Sequence, residues 1–465
     1  MKIKLVFFKR LFTVFLTSYL MNIFYFNGLV RVQQLLLWTS ILLYLLLNWK
    51  IVETIINRNI LTYISKKNVC ILLALWGIII IITPPLHGTT DFSYFRDYLS
   101  VIASILSYSV ICVRIYKTEN GNRIAEKFMQ YYVYGMAIYI FSTIFAITIE
   151  SYRNFILNHV SMSEYALQVI QDPRYRTRIG FAGLSVYASG IKCAFANIFT
   201  LYFAYKNIRE HKRNKMGLAF LYFLTLLGEF FYSRTSLMVS VILLFVFVFF
   251  VLVSLHRLGK FLKYVLIAVI GILTAALYIG QFEGDSASMR WALEVYINLA
   301  SGRGFSATSL NIMKRMAFTP SMSTLLVGDG YYTDPITGFY YRSVDLGYLR
   351  SILYYGVPGF SFALLLIAST LKSISKVGKM KEYKLISLML FFSMLVFEIK
   401  GEGMPIYYPI LFALLICVSA PEELIPDQEE LPDLTADEDE DEPPDTAGEG
   451  MAELPEKMLY DLEEV

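Results

Sequence analysis

Charge is what this chain has least of: Asp, Glu, Lys and Arg together make up 17% of its 465 residues. A soluble domain of that length needs a polar skin over its core, and so few charged side chains do not supply one. Cysteine is also sparse. Cys70, Cys112, Cys193 and Cys417 all lie inside apolar runs with no CxxC spacing. They read as small buried hydrophobes rather than a disulfide framework or zinc ribbon. His87, His159, His211 and His256 are scattered without ligand spacing, so no metal site and no cofactor are expected.

Apolar residues are abundant, at 56% of the chain with a mean hydropathy of +0.53. Such a chain can show its apolar surface to lipid, and a bilayer-spanning helix needs about 20 mostly apolar residues. Hydropathy predicts twelve spans, near 11–29, 33–52, 69–86, 98–116, 131–149, 182–204, 215–232, 235–255, 263–281, 345–371, 382–399 and 403–420. The expected fold class is all-α, a polytopic helical membrane protein.

The formal charge of +3 hides an uneven distribution. From Pro421 to Val465 there are 19 Asp and Glu and one Lys, which leaves 40 basic and 19 acidic residues, about +21, on residues 1–420. The acidic stretch, with its run Asp437–Glu442, buries too little apolar surface to fold alone and reads as a disordered tail. Its composition differs so much from the body that a tag or appended extension is expected.

Within residues 1–420 the short connections alternate in charge. Lys2, Lys4, Lys9 and Arg10; Arg58, Lys66 and Lys67; Arg114, Lys117, Arg123 and Lys127; Lys206, Arg209, Lys212, Arg213 and Lys215; Arg257, Lys260 and Lys263; and Lys372, Lys376, Lys379, Lys381 and Lys384 fall on one side. The positive-inside rule makes that side cytoplasmic and puts both ends of the membrane domain there. Two long loops, about 150–181 and 282–344, then face outward, where a helical bundle usually carries function.

That outward face should be poor in basic residues, yet it holds Arg174, Arg176, Arg178, Arg234, Arg290, Arg303, Arg315 and Arg342, with Arg350 just inside the tenth span. A planar guanidinium grips phosphate at two points, which points to a phosphorylated or pyrophosphorylated lipid head group. For any one of these arginines, snorkelling or pairing with Asp97, Asp285 or Asp329 is the better explanation; it is Arg178, Arg234 and Arg303 together that favour a ligand. Asp345 opens the tenth span as either a helix cap or a general base for a sugar hydroxyl. Tyr331, Tyr332, Tyr340 and Tyr341 suit an interfacial aromatic belt or a platform for sugar C–H faces.

Several short pieces, in order, carry a family resemblance: Arg178-Ile-Gly180, Ser233-Arg-Thr235, Ser301-Gly-Arg303, Leu326-Val-Gly-Asp-Gly330, and Asp345 followed by Gly356-Val-Pro-Gly359. With the topology, they make residues 1–420 resemble the O-antigen polymerase (Wzy) family, which is related to the O-antigen ligases. The resemblance implies a GT-C-like, metal-independent glycosyltransferase of the bacterial inner membrane. It would join undecaprenyl-pyrophosphate-linked repeat units into O-antigen or capsule-like polysaccharide for the cell's lipopolysaccharide or surface coat. The residues themselves, rather than the resemblance, put Arg178, Arg234 and Arg303 on the pyrophosphate and Asp345 as base, with Arg176, Arg290, Arg315, Arg342, Arg350 and the four tyrosines binding substrate. The implied partners are lipid-linked glycans, membrane lipids and a chain-length regulator, with no nucleic acid. Ligases hold a histidine where this chain has Asp345, which favours polymerase over ligase. No clean copy of the spaced Arg-to-Gly motif of some polymerases stands in either loop. A lipid-linked oligosaccharide flippase is the alternative from another class; it would need charge inside the bundle and internal repeats, and no repeat is visible.

Overall fold

The computed structural model describes residues 2–57, 60–119, 123–172, 175, 178–210, 215–255, 294, 297–298, 301–304, 306–377 and 381–418. Its helices, in chain order, are α1 (Lys2–Met21), α2 (Val30–Leu47), α3 (Trp49–Asn57), α4 (Ile60–Leu86), α5 (Ser93–Thr118), α6 (Ile124–Thr148), α7 (Glu150–His159) and α8 (Glu164–Gln171). A two-strand hairpin, β1 (Ile179–Gly180) and β2 (Gly183–Leu184), precedes α9 (Tyr187–Arg209), α10 (Lys215–Tyr232) and α11 (Arg234–Leu255). Then come α12 (Thr308–Met316), α13 (Met322–Val327), α14 (Gly347–Val377), α15 (Lys381–Lys400) and α16 (Met404–Cys417).

Among the described residues, six helices are long and apolar enough to cross a membrane: α2, α4, α5, α6, α11 and α14. The chain is therefore an all-α, multi-pass membrane protein. Helices α10 and α16 are apolar but shorter. The first expected span is displaced, its helix stopping at Met21 rather than running to 29, and the second, 33–52, is divided at Asn48 into α2 and α3. The ninth expected span (263–281) and the acidic tail lie outside the described residues.

Packing follows composition. Helix α16 is apolar all round, and nearly every residue from Met404 to Cys417 is buried, so it forms the centre of the bundle. Small residues let backbones close in: Ser18 Oγ on α1 donates to the Gly135 carbonyl on α6 at 2.8 Å, and a Cβ at Gly135 would stand 3.1 Å from the Ser18 nitrogen. Helices α1 and α2 present Leu5, Phe7, Phe8, Leu35 and Leu36 outward, as a lipid-facing surface requires. Lys66 is not free in a cytoplasmic loop. It is buried, and its Nζ donates to the last-turn carbonyls of Ile55 (2.9 Å) and Ile416 (3.0 Å), tying off α3 and α16.

The described residues of the two expected long loops include helices. Residues 150–181 hold α7, α8 and strand β1. The expected sixth span begins five residues late, at Tyr187, because Gly183 takes φ +88° and turns the chain into the hairpin first. The second loop holds α12, α13 and a 3₁₀ turn at Tyr341–Ser343.

Candidate functional site

The site is built on an interlock between two glycine motifs. Helix α14 breaks at Gly356, which takes φ +74°, and two residues later Pro358 has no N–H to offer. The break leaves the carbonyls of Leu353 and Tyr354 without helical donors. The Gly328-Asp-Gly330 segment supplies them: Asp329 N donates to Leu353 O at 2.6 Å and Gly330 N to Tyr354 O at 3.1 Å. The approach is so close that a Cβ at Gly328 would meet Tyr354 O at 2.3 Å. The turn after α4 clamps the same segment from the other side. Thr89 Oγ1 donates to Gly330 O at 2.8 Å, and the Asp91 carboxylate accepts from the backbone N–H groups of Tyr332 (2.7 Å) and Thr333 (2.6 Å).

A second close approach sets the other wall. Gly347 opens α14 against the turn between α15 and α16, where a Cβ would meet Gly401 O at 2.4 Å. Glu398 holds that turn by accepting from Gly403 N and Met404 N, both at 2.9 Å, and from the Tyr407 hydroxyl at 3.0 Å. One turn into α14, Arg350 therefore lies beside Glu402, Nη1 to Oε2 3.7 Å.

Between these walls lies a cavity of about 920 Å³. One side is cationic. Arg178, in a turn just before β1, and Lys400, at the end of α15, line it, and Ser233 separates it from Arg234 at the start of α11. Arg178 and Arg234 are 5% and 6% exposed, and both lie close enough to Lys400 to repel it. The Arg178 guanidinium stacks on the Tyr175 ring, 4.6 Å to the centroid. Burial lowers its pKa to about 10, with Tyr175 opposing and the Arg234 charge assisting, so it remains charged at neutral pH. Glu294 is the carboxylate on this side. It accepts from Arg234 Nη1 at 2.6 Å and from Thr308 N and Oγ1 at 2.9 and 2.6 Å. Burial alone would raise the Glu294 carboxyl, but these bonds outweigh it and hold the group below its ordinary range.

The opposite side mixes Arg350 with acids. The Arg350 guanidinium lies between the rings of Tyr340 (3.8 Å) and Tyr332 (4.2 Å). Asp345 lines the cavity two residues before α14 and keeps solvent-accessible surface there. The surrounding walls raise its carboxyl above the ordinary aspartate range, against the charges of Arg350 and Lys400. Below Arg350, the buried Tyr332 hydroxyl lies within hydrogen-bond reach of Asp97 Oδ2, at 2.9 Å, and of Glu402 Oε2.

The expected site residues thus divide. Arg178, Asp345, Arg350 and Tyr340 line one cavity, with Arg234 behind its wall and Tyr332 beneath Arg350. Five others stand elsewhere. Arg303 and Arg315 are exposed, on a glycine turn and at the end of α12. Arg342 pairs with Asp329 at 3.2 Å, the partner expected of a structural arginine. Tyr331 and Tyr341 stack on each other, centroids 5.3 Å apart. Arg176 and Arg290 lie outside the described residues.

Sequence reasoning missed Glu294, Lys400, Glu402 and Tyr187, whose hydroxyl donates to the Phe397 carbonyl. A signal existed for two of them. Glu398-Ile-Lys400-Gly-Glu402-Gly403 sets three ionisable residues at the junction of two apolar stretches, where charge is rarely idle.

No family model, curated protein or solved structure matches the chain.

Proposed function

We propose that the chain is a surface-polysaccharide polymerase that transfers a growing glycan from a lipid pyrophosphate to a new lipid-linked repeat unit at this cavity. The observation that carries the reading is a cavity lined on one side by Arg178 and Lys400, with Arg234 behind that wall, three cations that repel one another, and on the other side by Asp345. A bound pyrophosphate relieves that repulsion.

In this reading Asp345 takes the proton of the acceptor hydroxyl as its oxygen bonds to the anomeric carbon. The bond from that carbon to the pyrophosphate oxygen breaks, and the negative charge left on the lipid pyrophosphate falls to the cations. Those cations do what a metal ion does in other glycosyltransferases, so the proposed mechanism is metal-independent. No nucleotide-sugar is needed, because the energy is already in the lipid pyrophosphate. The proposed topology has twelve spans, both ends of the membrane domain cytoplasmic, and the cavity on the periplasmic face of a bacterial inner membrane. A chain-length regulator is a proposed partner. An O-antigen ligase would use the same leaving group, but the carboxylate Asp345 at the start of α14 favours the polymerase.

The test is an assay with purified protein, undecaprenyl-pyrophosphate repeat units and EDTA, resolved on a gel. A ladder of polymer lengths is expected. Repeat units that instead cross the vesicle membrane unjoined would replace this reading with a flippase.

A further inference from the structure

The Tyr332 hydroxyl sits between two carboxyls, Asp97 Oδ2 at 2.9 Å and Glu402 Oε2, both within hydrogen-bond reach. A phenol has one hydrogen. Two hydrogen bonds along this row of three oxygens require two hydrogens, so one of the carboxyls must bring its own. The charges around Glu402 say which. Facing it are Tyr94 and Asp97 from α5, Tyr332 from the loop, Arg350 and Tyr355 from α14, Glu398 from α15 and Tyr407 from α16, with Lys400 two residues before it in the chain. That is one guanidinium against two other carboxyls, around a side chain only 4% exposed.

We propose that Glu402 is a positioning residue that carries a proton at neutral pH and donates it to Tyr332, leaving the Arg350 guanidinium to the cavity. The hydrogen bonds then run one way, from Glu402 to the Tyr332 oxygen and from the Tyr332 hydroxyl to Asp97 Oδ2. The Arg350–Glu402 separation of 3.7 Å agrees, because a charge-assisted pair closes to about 2.8 Å. Burial raises the Glu402 carboxyl, against the lowering by Arg350 and by the Tyr332 and Tyr94 hydroxyls. Arg350 is fixed by the rings of Tyr332 and Tyr340 rather than by an ion pair, so its charge remains for an anion or for ionised Asp345. As pH rises and Glu402 ionises, Arg350 turns to Glu402 and the cavity loses a cation. This consequence for substrate rests on the polymerase reading; the proton on Glu402 does not.

The experiment is infrared difference spectroscopy on the full chain in lipid nanodiscs, comparing wild type with Glu402→Gln at neutral pH. The expected result is loss of one protonated-carboxyl C=O band that shifts on deuteration. Tyr332→Phe removes the acceptor, and the band should then move to higher frequency; this variant carries the test if Glu402→Gln fails to fold. No change in that region in either variant overturns the proposal. In the same nanodiscs, calorimetry should show inorganic pyrophosphate binding that weakens toward alkaline pH in wild type. After correction for the pyrophosphate's own ionisation, binding should stay level in Glu402→Gln. Parallel pH profiles would overturn the link to Arg350. Wild-type protein that binds no pyrophosphate at any pH would sink the proposed function, while the infrared result still decides the proton.

Discussion

At the scale of single residues, the cavity separates arginines that the sequence left equivalent. Arg178 lines it, buried beside Arg234 and Lys400, whereas Arg303 stands exposed on a glycine turn. Removing a charge that stabilises a developing anion typically lowers rate about a hundredfold to a thousandfold. In the polymer assay Arg178→Ala should lose that much, and Arg303→Ala at least about tenfold less; equal losses would return Arg303 to the site. Asp345→Asn should cost about a hundredfold or more in turnover with little change in pyrophosphate binding. The Asp345 carboxyl is raised by burial and acts as a base only when ionised, so the acid limb of kcat/KM should lie above the ordinary carboxylate range. A limb at ordinary aspartate pH would count against this assignment. Stability moves the other way. A raised carboxyl binds its proton more tightly folded than unfolded, so its stabilisation is complete below the unfolded value and is lost as pH rises through the folded one. Asp345 and Glu402 are both raised, and Glu402→Gln should flatten the fall of the thermal midpoint over that window.

At the scale of elements, the interlock of α14 with the Gly328–Gly330 segment decides where the second loop goes. Gly328 has φ +82°, and a Cβ there meets a backbone carbonyl at 2.3 Å, so neither the conformation nor the space admits a side chain. Gly328→Ala should therefore cost about 1–3 kcal/mol from the backbone strain alone, read as a lowered thermal midpoint. An unchanged midpoint would mean the segment is not held against α14. Both motifs were legible as strings, Leu326-Val-Gly-Asp-Gly330 and Gly356-Val-Pro-Gly359, but not as partners. The missing N–H of Pro358 tells the reader that the Tyr354 carbonyl needs a donor, and nothing local says that Gly330 provides it. Spans were readable for the opposite reason: lipid imposes the same apolar demand along each helix wherever it packs.

At the scale of the whole molecule, the turns and loops at one end of the bundle come together, residues 87–91, 178–186, 306–346 and 401–403 among them. In the proposed orientation that end is periplasmic. With Cys70, the exposed native cysteine, replaced by serine, a cysteine at Ile336 should react with a membrane-impermeant maleimide added to intact spheroplasts. A cysteine at Lys117 should react only after the membrane is opened. The reverse pattern would invert the topology and with it the periplasmic reaction.

The sequence by itself determined that this is a multi-pass helical membrane protein with an arginine-rich face, because hydropathy and charge act locally and sum along the chain. It also marked Arg178, Arg234, Asp345 and Arg350 as candidates. Only the tertiary structure decided that these four meet, that Arg303, Arg315 and Arg342 stand apart, and that Lys400 and Glu402 complete the cavity. Residues from 178 to 402 share one cavity because Gly347, Gly328 and Gly356 let distant backbones touch, and such contacts depend on three-dimensional fit that no local pattern encodes.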